Sequence, residues 1–329
     1  MISFIMPAKN ASLYVGQAVN SLRKTNYEDW ELVVIDDHSV DDTYDILKRA
    51  EETDSRIKVF KNKGNGKVAG LNYGYTLTSG EIIKCIDADD VLSEKFFDYV
   101  DTISNYDAFC HDSYITASNL RILGNYSVDK SILIKDFSYC LKYLKSLPRS
   151  IWSFTRDIGD KVFPIPRSLP FEDVWFSLII KKYAERIYYV NENLYYYRQH
   201  NNQVFGGILN FDSEIVSFRA KRMLKLIDVI AHEQPERLLS GINDVDFFHT
   251  IRRFYRLSAQ RKVSLGEIVK LDAPLEFRLK LFLYKKLSFL APQIIRLKWF
   301  LDKRRKAAAM PADNLVINNE SGFADQTKS

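Results

Sequence analysis

The chain has 329 residues, of which 46% are hydrophobic and 27% charged, a composition that excludes a disordered or collagen-like protein. No stretch approaches the ~18–20 uninterrupted apolar residues of a membrane span, the N-terminus lacks the basic leader of a signal peptide, and the three cysteines lack C-x-x-C spacing. The net charge of +5 hides a mildly acidic body, at −3, and a basic segment from Pro274 to Lys306, at +8. These features predict a soluble intracellular protein with one large domain and an appendage, or two domains, and exclude a nucleic-acid-binding body.

The first hundred residues alternate strand-like and helix-like patterns. Apolar runs predict strands at Ile2–Met6, which Pro7 should end, and at residues 31–35, 56–60 and 81–86. Helical spacing of apolar residues falls between them, and Asp41-Asp42-Thr43 is a typical helix start. This alternation predicts a parallel α/β sheet, in which ligands gather beyond the carboxyl ends of the strands.

The rest of the chain divides into three parts. Residues 106–200 mix aromatic strands, at 106–111 and 186–190, with a proline-rich loop at 164–170 and a short helix from Glu172. Helical patterns then continue to about residue 306, and the remaining residues are polar. We therefore predict an α/β domain over 1–205, a helical region over 206–306 and a disordered tail over 307–329.

The strongest chemical signal is I-D-A-D-D at residues 86–90, directly after a predicted strand. Three carboxylates at this spacing repel one another unless a positive charge compensates them. A divalent ion with oxygen ligands, Mg²⁺ or Mn²⁺, shared with a phosphate-bearing substrate, would do so. A solvated turn with a helix cap is an equally good interpretation of the spacing alone.

Two further motifs point to a nucleotide. Asp36 and Asp37 follow the second strand, where a carboxylate can accept hydrogen bonds from a base or a ribose, although a helix N-cap would explain them equally well. Flexible glycines precede Lys67 at the start of a helix, which suits a loop that contacts phosphate. The glycine spacing matches neither G-x-G-x-x-G nor G-x-x-x-x-G-K-[ST], so it disfavours a Rossmann dinucleotide site and a P-loop.

Six segments, taken in order, resemble glycosyltransferase family 2. They are P-A-K-N (7–10), V-I-D-D-H-S-V-D-D-T (34–43), G-K-V-A-G-L-N-Y-G (66–74), S-G-E-I-I-K-C-I-D-A-D-D (79–90), F-E-D-V-W-F (171–176) and Y-Y-Y-R-Q-H (195–200). Together they cover about the first two hundred residues. The resemblance implies the GT-A fold, a Rossmann-like mixed sheet flanked by helices, with a helical C-terminal extension here. It also implies an inverting, metal-dependent hexosyl- or N-acetylhexosaminyltransferase.

The resemblance implies a role for each matching residue. The nucleotide-sugar donor would contact Pro7, Ala8, Asn10, Asp36, Asp37, Lys67, Asp87, Ala88 and Asp89. Asp87 would face the ribose, Asp89 would ligate Mn²⁺ or Mg²⁺ with His200 as a possible further ligand, and Asp173 would be the general base. Possible assisting residues are Asp90, Glu172 and Trp152. Core packing is an equally good interpretation of Trp152, an exposed polar loop explains His200 as well, and His111 is interpreted as a structural histidine.

The basic segment at 274–306 interleaves cationic residues with leucine, phenylalanine and tryptophan, and Pro292 should divide it into two helices. This pattern favours contact with an anionic membrane surface, although packing of its apolar face on the catalytic domain is the alternative. With a glycan or lipid-linked acceptor, the expected setting is the inner face of the plasma membrane in bacterial capsule, O-antigen or lipooligosaccharide synthesis. Two alternative functions remain, a sugar-nucleotide nucleotidyltransferase and a non-catalytic membrane-associated scaffold.

Overall fold

The computed structural model of the protein describes residues 1–200, 213–240, 242, 246–290, 292–294, 297, 300–301 and 314–319. Within these residues the strands are β1 Ile2–Ala8, β2 Trp30–Asp36, β3 Ile57–Lys61, β4 Ile82–Cys85, β5 Val91–Leu92, β6 Ala108–Thr116, β7 Ile122–Tyr126, β8 Trp152–Thr155, β9 Arg186–Arg198 and β10 Leu315–Asn318. The helices that precede residue 200 are α1 Val15–Arg23, α2 Thr43–Thr53, α3 Lys67–Thr76, α4 Val100–Ile103, α5 Lys130–Ile134, α6 Phe137–Tyr143, α7 Arg156–Val162 and α8 Asp173–Tyr183. Those that follow are α9 Ser213–Asp228, α10 Pro235–Leu238, α11 His249–Ala259, α12 Leu265–Val269 and α13 Leu275–Lys286.

The strands form one mixed sheet in the order β10-β9-β6-β8-β4-β1-β2-β3, with β5 paired to β9 and β7 paired to β6. The first four strands of the chain, β1 to β4, run parallel to one another, as the alternating sequence pattern predicted. Strand β8 is antiparallel to both β4 and β6, which makes the whole sheet mixed. The predicted α/β class with a mixed sheet is therefore confirmed.

Apolar side chains pack on both faces of the sheet. Every residue of β2 is buried, which explains its uninterrupted apolar sequence. One core cluster contains Phe4, Trp30 and Phe96, and the other contains Ile5, Trp175 and the apolar face of α11. Burial on both faces fixes the strand register, and with it the positions of the loops that follow each strand.

Some predicted boundaries were wrong. Strand β1 does not end at Pro7 but continues to Ala8, since β4 pairs with β1 only as far as Ile5 and a missing N–H is tolerated where one neighbour has ended. Strands β6 and β9 extend beyond their predicted ends, and β9 bends through two register shifts against β6. The helix start at Thr43 is confirmed.

The C-terminal part departs from a simple helical extension. Strand β10 pairs antiparallel with β9, so the prediction of disorder over 307–329 was wrong for residues 315–318. Alternating Leu315 and Ile317 face the protein, and Asn319 donates from its side chain to the carbonyl of Ala184, which compensates the entropy of ordering this short strand. The predicted boundary at 205/206, and residues 307–313 and 320–329 of the predicted tail, lie outside the described residues.

Helix α13 contains part of the basic segment and packs on the protein through one side. Phe277 and Leu281 are buried, and the ring of Phe277 contacts Tyr143 and Phe254. The opposite side exposes Leu275 and Leu279, in company with further exposed apolar residues that follow it, Phe289, Ile294 and Leu297. The segment is divided, but the α-helix ends at Lys286, before the break predicted at Pro292; a 3-10 turn follows at Ser288–Leu290, and residues 292–294 are helical. In the described part of the chain, no helix is long and apolar enough to span a membrane.

Candidate active site

The carboxyl ends of β1, β2 and β4 meet at one edge of the sheet. Ala8, the last residue of β1, pairs with Asp36, and Ile5 pairs with Cys85 at the end of β4. The loop after each strand therefore opens on the same side, which is where open α/β sheets bind ligands. The polar residues that the sequence analysis selected lie in these three loops and in the segments that face them.

Asp37 is held in a fixed orientation at the end of β2. Its Oδ1 accepts hydrogen bonds from the side-chain amide of Asn62 and the backbone N–H of Gly66, both at 2.8 Å, and its Oδ2 lies 3.2 Å from the ammonium of Lys9. Burial alone would raise the pKa of Asp37, but these donors lower it below its usual value. The carboxyl is ionised at neutral pH and can accept further hydrogen bonds.

The loop after β1 folds against the loop after β2. Asn10, at a φ of 48°, accepts a hydrogen bond from the N–H of Val40 at its side-chain oxygen, and its own N–H donates to Ser39. Asp36 accepts from the N–H of Ser39, while its other oxygen is buried and no described residue donates a hydrogen bond to it. Neither Asp36 nor Asp37 caps a helix, because α2 begins only at Thr43, so that interpretation was wrong.

Four charged side chains form a closed network beyond β4. Asp87 Oδ1 lies 2.8 Å from Lys67 Nζ and 2.5 Å from Arg149 Nη2. Glu172 Oε1 lies 3.0 Å from Lys67 Nζ and 3.3 Å from Arg149 Nε. Each cation thus contacts both carboxylates, so the network is neutral. Arg149 and Glu172 are buried, whereas the Lys67 side chain is 44% exposed and can meet a ligand.

The network determines the charge state of its members. Burial opposes the charged form of each, but the guanidinium of Arg149 and the ammonium of Lys67 hold the pKa of Asp87 well below its usual range. The same two cations lower the pKa of Glu172, and the facing carboxylates raise the pKa of Lys67. All four groups are therefore charged at neutral pH. The Nη1 atom of Arg149 is buried with no hydrogen-bond partner among the described residues.

Asp173, the first residue of α8, lies against this network in a different state. Its Oδ1 accepts the backbone N–H of Arg149 at 2.8 Å. Burial, reinforced by the neighbouring carboxylate of Glu172, raises the pKa of Asp173 to about 6. A carboxylate with a pKa in this range can take up a proton near neutral pH more readily than an ordinary aspartate, as a general base requires.

Asp89 and His200 form a third group. His200 Nε2 lies 3.0 Å from Asp89 Oδ2, and the ring of Tyr14 packs against the imidazole with its centroid 4.8 Å away. The other ring nitrogen of His200, Nδ1, is buried and has no hydrogen-bond partner within the part of the chain that the structure describes. An imidazole and a carboxylate side by side are a suitable donor pair for Mn²⁺ or Mg²⁺. No cluster of three or more His, Cys, Asp or Glu ligands occurs among the described residues, so a cation here needs oxygens from a substrate and water.

The side chain of Asp90 is buried, whereas that of Asp89 is 31% exposed. Asp90 accepts the backbone N–H of Arg198 at 2.8 Å, and therefore anchors the end of β9 to the acidic loop. Burial, together with the charges of Asp89 and Asp87, raises its pKa well above the usual value. It caps no helix, since strand β5 follows it. The solvated-turn interpretation of residues 86–90 thus fails for Asp90 and for the paired Asp87.

Two of the remaining candidates from the sequence, Trp152 and His111, have structural contacts, and one residue of the site, Arg149, was not predicted. Trp152 is buried and its indole N–H donates to Ser177, so the geometry favours core packing. Buried His111 contacts the ammonium of Lys84 at 3.1 Å, which fits the structural interpretation. Ala8 and Ala88 are buried beside the loops. The sequence analysis missed Arg149, because a single arginine before an apolar strand carries no spacing signal.

Comparison with known proteins identifies the class of protein to which this chain belongs. The sequence model described as glycosyl transferase family 2 matches residues 3–120. The UDP-Glc:α-D-GlcNAc-diphosphoundecaprenol β-1,3-glucosyltransferase WfgD of Escherichia coli is 31% identical over 187 residues, which cover 54% of this chain and 70% of WfgD. The chain belongs to glycosyltransferase family 2 and is a glycosyltransferase, which removes the nucleotidyltransferase alternative.

Solved structures show the same fold. Residues 1–349 of Staphylococcus aureus TarS, in complex with UDP-GlcNAc, align over 92% of both chains with a TM-score of 0.52 and 16% identity. The Pyrobaculum calidifontis mannosyltransferase PcManGT, in complex with GDP-Man and Mn²⁺, aligns over 93% of this chain and 85% of that one, with a TM-score of 0.52 and 15% identity. The fold is that of the GT-A glycosyltransferases, as the sequence analysis predicted.

We expect Arg149→Met to lower the free energy of unfolding by about 3 kcal/mol, because it removes the buried one of the two cations that compensate Asp87 and Glu172. In a Glu172→Gln background the same substitution should cost less, since one of those carboxylates is then neutral. Urea unfolding of the wild type, both single variants and the double variant measures this difference. Arg186→Met, at an exposed position, is the control, and equal costs in the two backgrounds would contradict the pairing.

Proposed function

We propose that this protein transfers a sugar from a nucleoside-diphosphate sugar to a hydroxyl group, with a divalent cation and with inversion at the anomeric carbon. The observation that carries the proposal is the convergence of Asp87, Asp89 and Asp173 at the edge of the sheet where β1, β2 and β4 end. Their pKa values differ in direction: that of Asp87 is lowered and that of Asp173 is raised. Such separation assigns different tasks to neighbouring carboxyl groups.

The donor nucleotide would bind between the loops after β1 and β2. Asp37 is oriented by Asn62 and Gly66 and stays ionised, so it can accept N–H groups from the base. Pro7 and Ala8 end β1 and Asn10 lies in the loop after it, while one buried oxygen of Asp36 accepts no hydrogen bond from the residues that the structure describes. Asp87, fixed by Lys67 and Arg149, lies toward the ribose and the phosphates.

Asp89 and His200 would hold the cation, together with the diphosphate of the donor. When bound, a divalent cation neutralises the charge that develops on the departing nucleoside diphosphate. Lys67 supports the same task, because its exposed ammonium lies between Asp87 and Glu172 and can turn toward a phosphate oxygen. The Mn²⁺ in the complex of the structurally similar PcManGT supports this choice of ion.

Asp173 would act as the base on the acceptor hydroxyl. One of its oxygens is fixed by the N–H of Arg149, which leaves the other to remove a proton. The hydroxyl then attacks the anomeric carbon from the face opposite the diphosphate, so a single displacement inverts the stereochemistry. Glu172 assists indirectly, since its charge raises the pKa of Asp173.

The acceptor is proposed to be a glycan or a lipid-linked sugar of bacterial surface-polysaccharide synthesis. The similar protein WfgD is a glucosyltransferase for GlcNAc linked to diphosphoundecaprenol, which supports a lipid-linked acceptor here. The exposed apolar residues of α13 and beyond, interleaved with Lys280, Lys285 and Lys286, support contact with an anionic membrane surface at the inner face of the plasma membrane.

We expect Asp89→Ala to lower the transfer rate at least about 100-fold, since it removes the protein oxygen nearest the proposed cation. EDTA should abolish wild-type activity, and Mn²⁺ should restore it in the wild type but not in the variant. The assay is a screen of nucleoside-diphosphate sugars for hydrolysis and transfer. Asp98→Ala, at an exposed position, should behave like the wild type. Full activity of Asp89→Ala, or of the EDTA-treated wild type, would refute the cation's role.

The rate of transfer should depend on the protonation state of Asp173. Because Asp173 must be deprotonated to act as a base, kcat/KM should fall about tenfold for each pH unit below 6 and level off above it. Asp173→Asn should abolish transfer without unfolding the protein. Since the folded state raises this pKa from 3.8 to about 6, ionisation costs stability as the pH rises through that window. At pH 8 the variant should therefore resist urea at least as well as the wild type. An active Asp173→Asn variant would exclude Asp173 as the base.

Exposed apolar residues of the basic segment should contribute to membrane binding. Replacing Leu279, Phe289 and Leu297 by serine should reduce binding to phosphatidylglycerol–phosphatidylcholine vesicles about tenfold or more, because exposed apolar contacts are lost. Vesicle pelleting measures this effect. The matched control is Leu265→Ser with Val269→Ser on α12, two equally exposed apolar residues outside the basic segment. Substitution is preferable to truncation, which would also remove buried Phe277 and strand β10. Unchanged pelleting of the triple variant would exclude this surface.

A further inference from the structure

A groove lies beside the charged network, between the outer side of α3 and the proline-rich loop at 164–170. Its volume is about 600 Å³, and Tyr73 of α3 and Ile165 of the loop form part of its walls. Neither Asp87, Asp89 nor Asp173 lines it. The groove is therefore distinct from the position proposed for the donor.

The described residues that line the groove include three cations and no acidic residue. Lys63 and Arg167 are exposed, and the Lys63 ammonium lies 4.4 Å from the centre of the Tyr73 ring. Arg237 is the third cation, and its guanidinium is already committed, because it donates to the carbonyl of Pro164 and lies over the ring of Trp175. An uncompensated positive groove attracts an anion, and Lys63 and Arg167 have the exposed charged groups to contact one.

The groove is held in shape by direct contacts across it. The side chain of Asn72 donates to the carbonyl of Ile165 at 2.8 Å and accepts the N–H of Ile165 at 2.7 Å. Behind them, the rings of Tyr75 and Phe163 stack with centroids 4.2 Å apart. Since both walls are fixed to each other, an incoming ligand does not have to order the groove.

Residues that line the groove are also close neighbours, along the chain, of active-site residues. A second cavity of about 320 Å³ shares Gly64, Ala69 and Arg167 with it and adds Asn65 and Val68. Asn65 and Val68 flank the residues that begin α3, including Lys67 of the charged network. At the other wall, the loop that carries Arg167 continues directly into Glu172 and Asp173.

We propose that this groove binds the phosphate or diphosphate group of a phosphorylated sugar acceptor, and so selects acceptors that carry one. The inference rests on the proposed function, because it assumes that an acceptor hydroxyl approaches Asp173. Charge-assisted hydrogen bonds from Lys63 and Arg167 would hold the anion, while Tyr73 and the exposed ring of Pro164 offer apolar surface to the group attached to it. A lipid-linked sugar diphosphate and a soluble sugar phosphate share this chemistry.

Calorimetric titration with octyl diphosphate in EDTA tests the site without transfer. The double variant Lys63→Gln/Arg167→Gln should bind the probe about tenfold or more weakly, since it loses two charge-assisted contacts. The control Lys24→Gln/Arg261→Gln removes two exposed cations elsewhere and should bind like the wild type. Equal affinity of the two double variants would overturn the proposal. So would loss of binding in Lys67→Met alone, because the probe would then occupy the donor network.

Transfer assays distinguish a lipid-linked acceptor from a soluble one. They also distinguish failure of the groove proposal from failure of the proposed acceptor class. Three acceptors are compared: octyl N-acetylglucosaminyl diphosphate in vesicles, N-acetylglucosamine 1-phosphate, and octyl N-acetylglucosaminide, which carries no phosphate. The preference for the phosphate-bearing acceptors, as a ratio of kcat/KM values, should fall about tenfold in the groove variant, and the better of the two identifies the source. Transfer by the wild type with an unchanged preference in the variant would refute the groove alone. Failure of the wild type on all three would count against the acceptor class, while octyl diphosphate binding still decides the groove.

Discussion

The buried guanidinium of Arg149 organises the site. It contacts Asp87 and Glu172 through its side chain and orients Asp173 through its backbone N–H, so a single residue joins the acidic loop after β4 to the start of α8. Removing a charge of this kind from water costs several kcal/mol, which only well-formed partners offset. The arrangement therefore tolerates little displacement. Because β8, which follows Arg149, pairs with β4, the sheet itself brings the guanidinium and Asp87 together.

The network also explains how neighbouring acids differ in behaviour. Asp87 and Glu172 face two cations directly and remain ionised, whereas Asp173 receives a neutral N–H donor and the repulsion of Glu172. Burial, together with the charges of Asp89 and Asp87, raises the pKa of Asp90 well above its usual value. Four carboxyl groups within one small region thus differ in the direction of their pKa shifts, and each direction follows from burial together with the charges placed around the group.

Much of this arrangement could be predicted from the sequence, but not all of it. Apolar runs that alternate with helical patterns predict the parallel strands β1 to β4. The acidic loops come directly after the ends of these strands. The pairing of Asp89 with His200 was expected from the resemblance to the family. Arg149 was not, because its role depends on the antiparallel insertion of β8, which brings together residues 62 positions apart. Strand β10 was missed for a similar reason: a four-residue polar-flanked segment becomes a strand only because β9 offers it an edge.

The placement of β10 has a consequence for the edge of the sheet. Without it, residues 186–189 of β9 would present unpaired N–H and carbonyl groups along an aromatic stretch, the kind of edge that recruits strands from other molecules. Strand β10 thus covers this edge of β9, so that the edge cannot pair with a strand of another molecule. Removing β10, although it is remote from the chemistry, would expose this edge of β9 and favour aggregation.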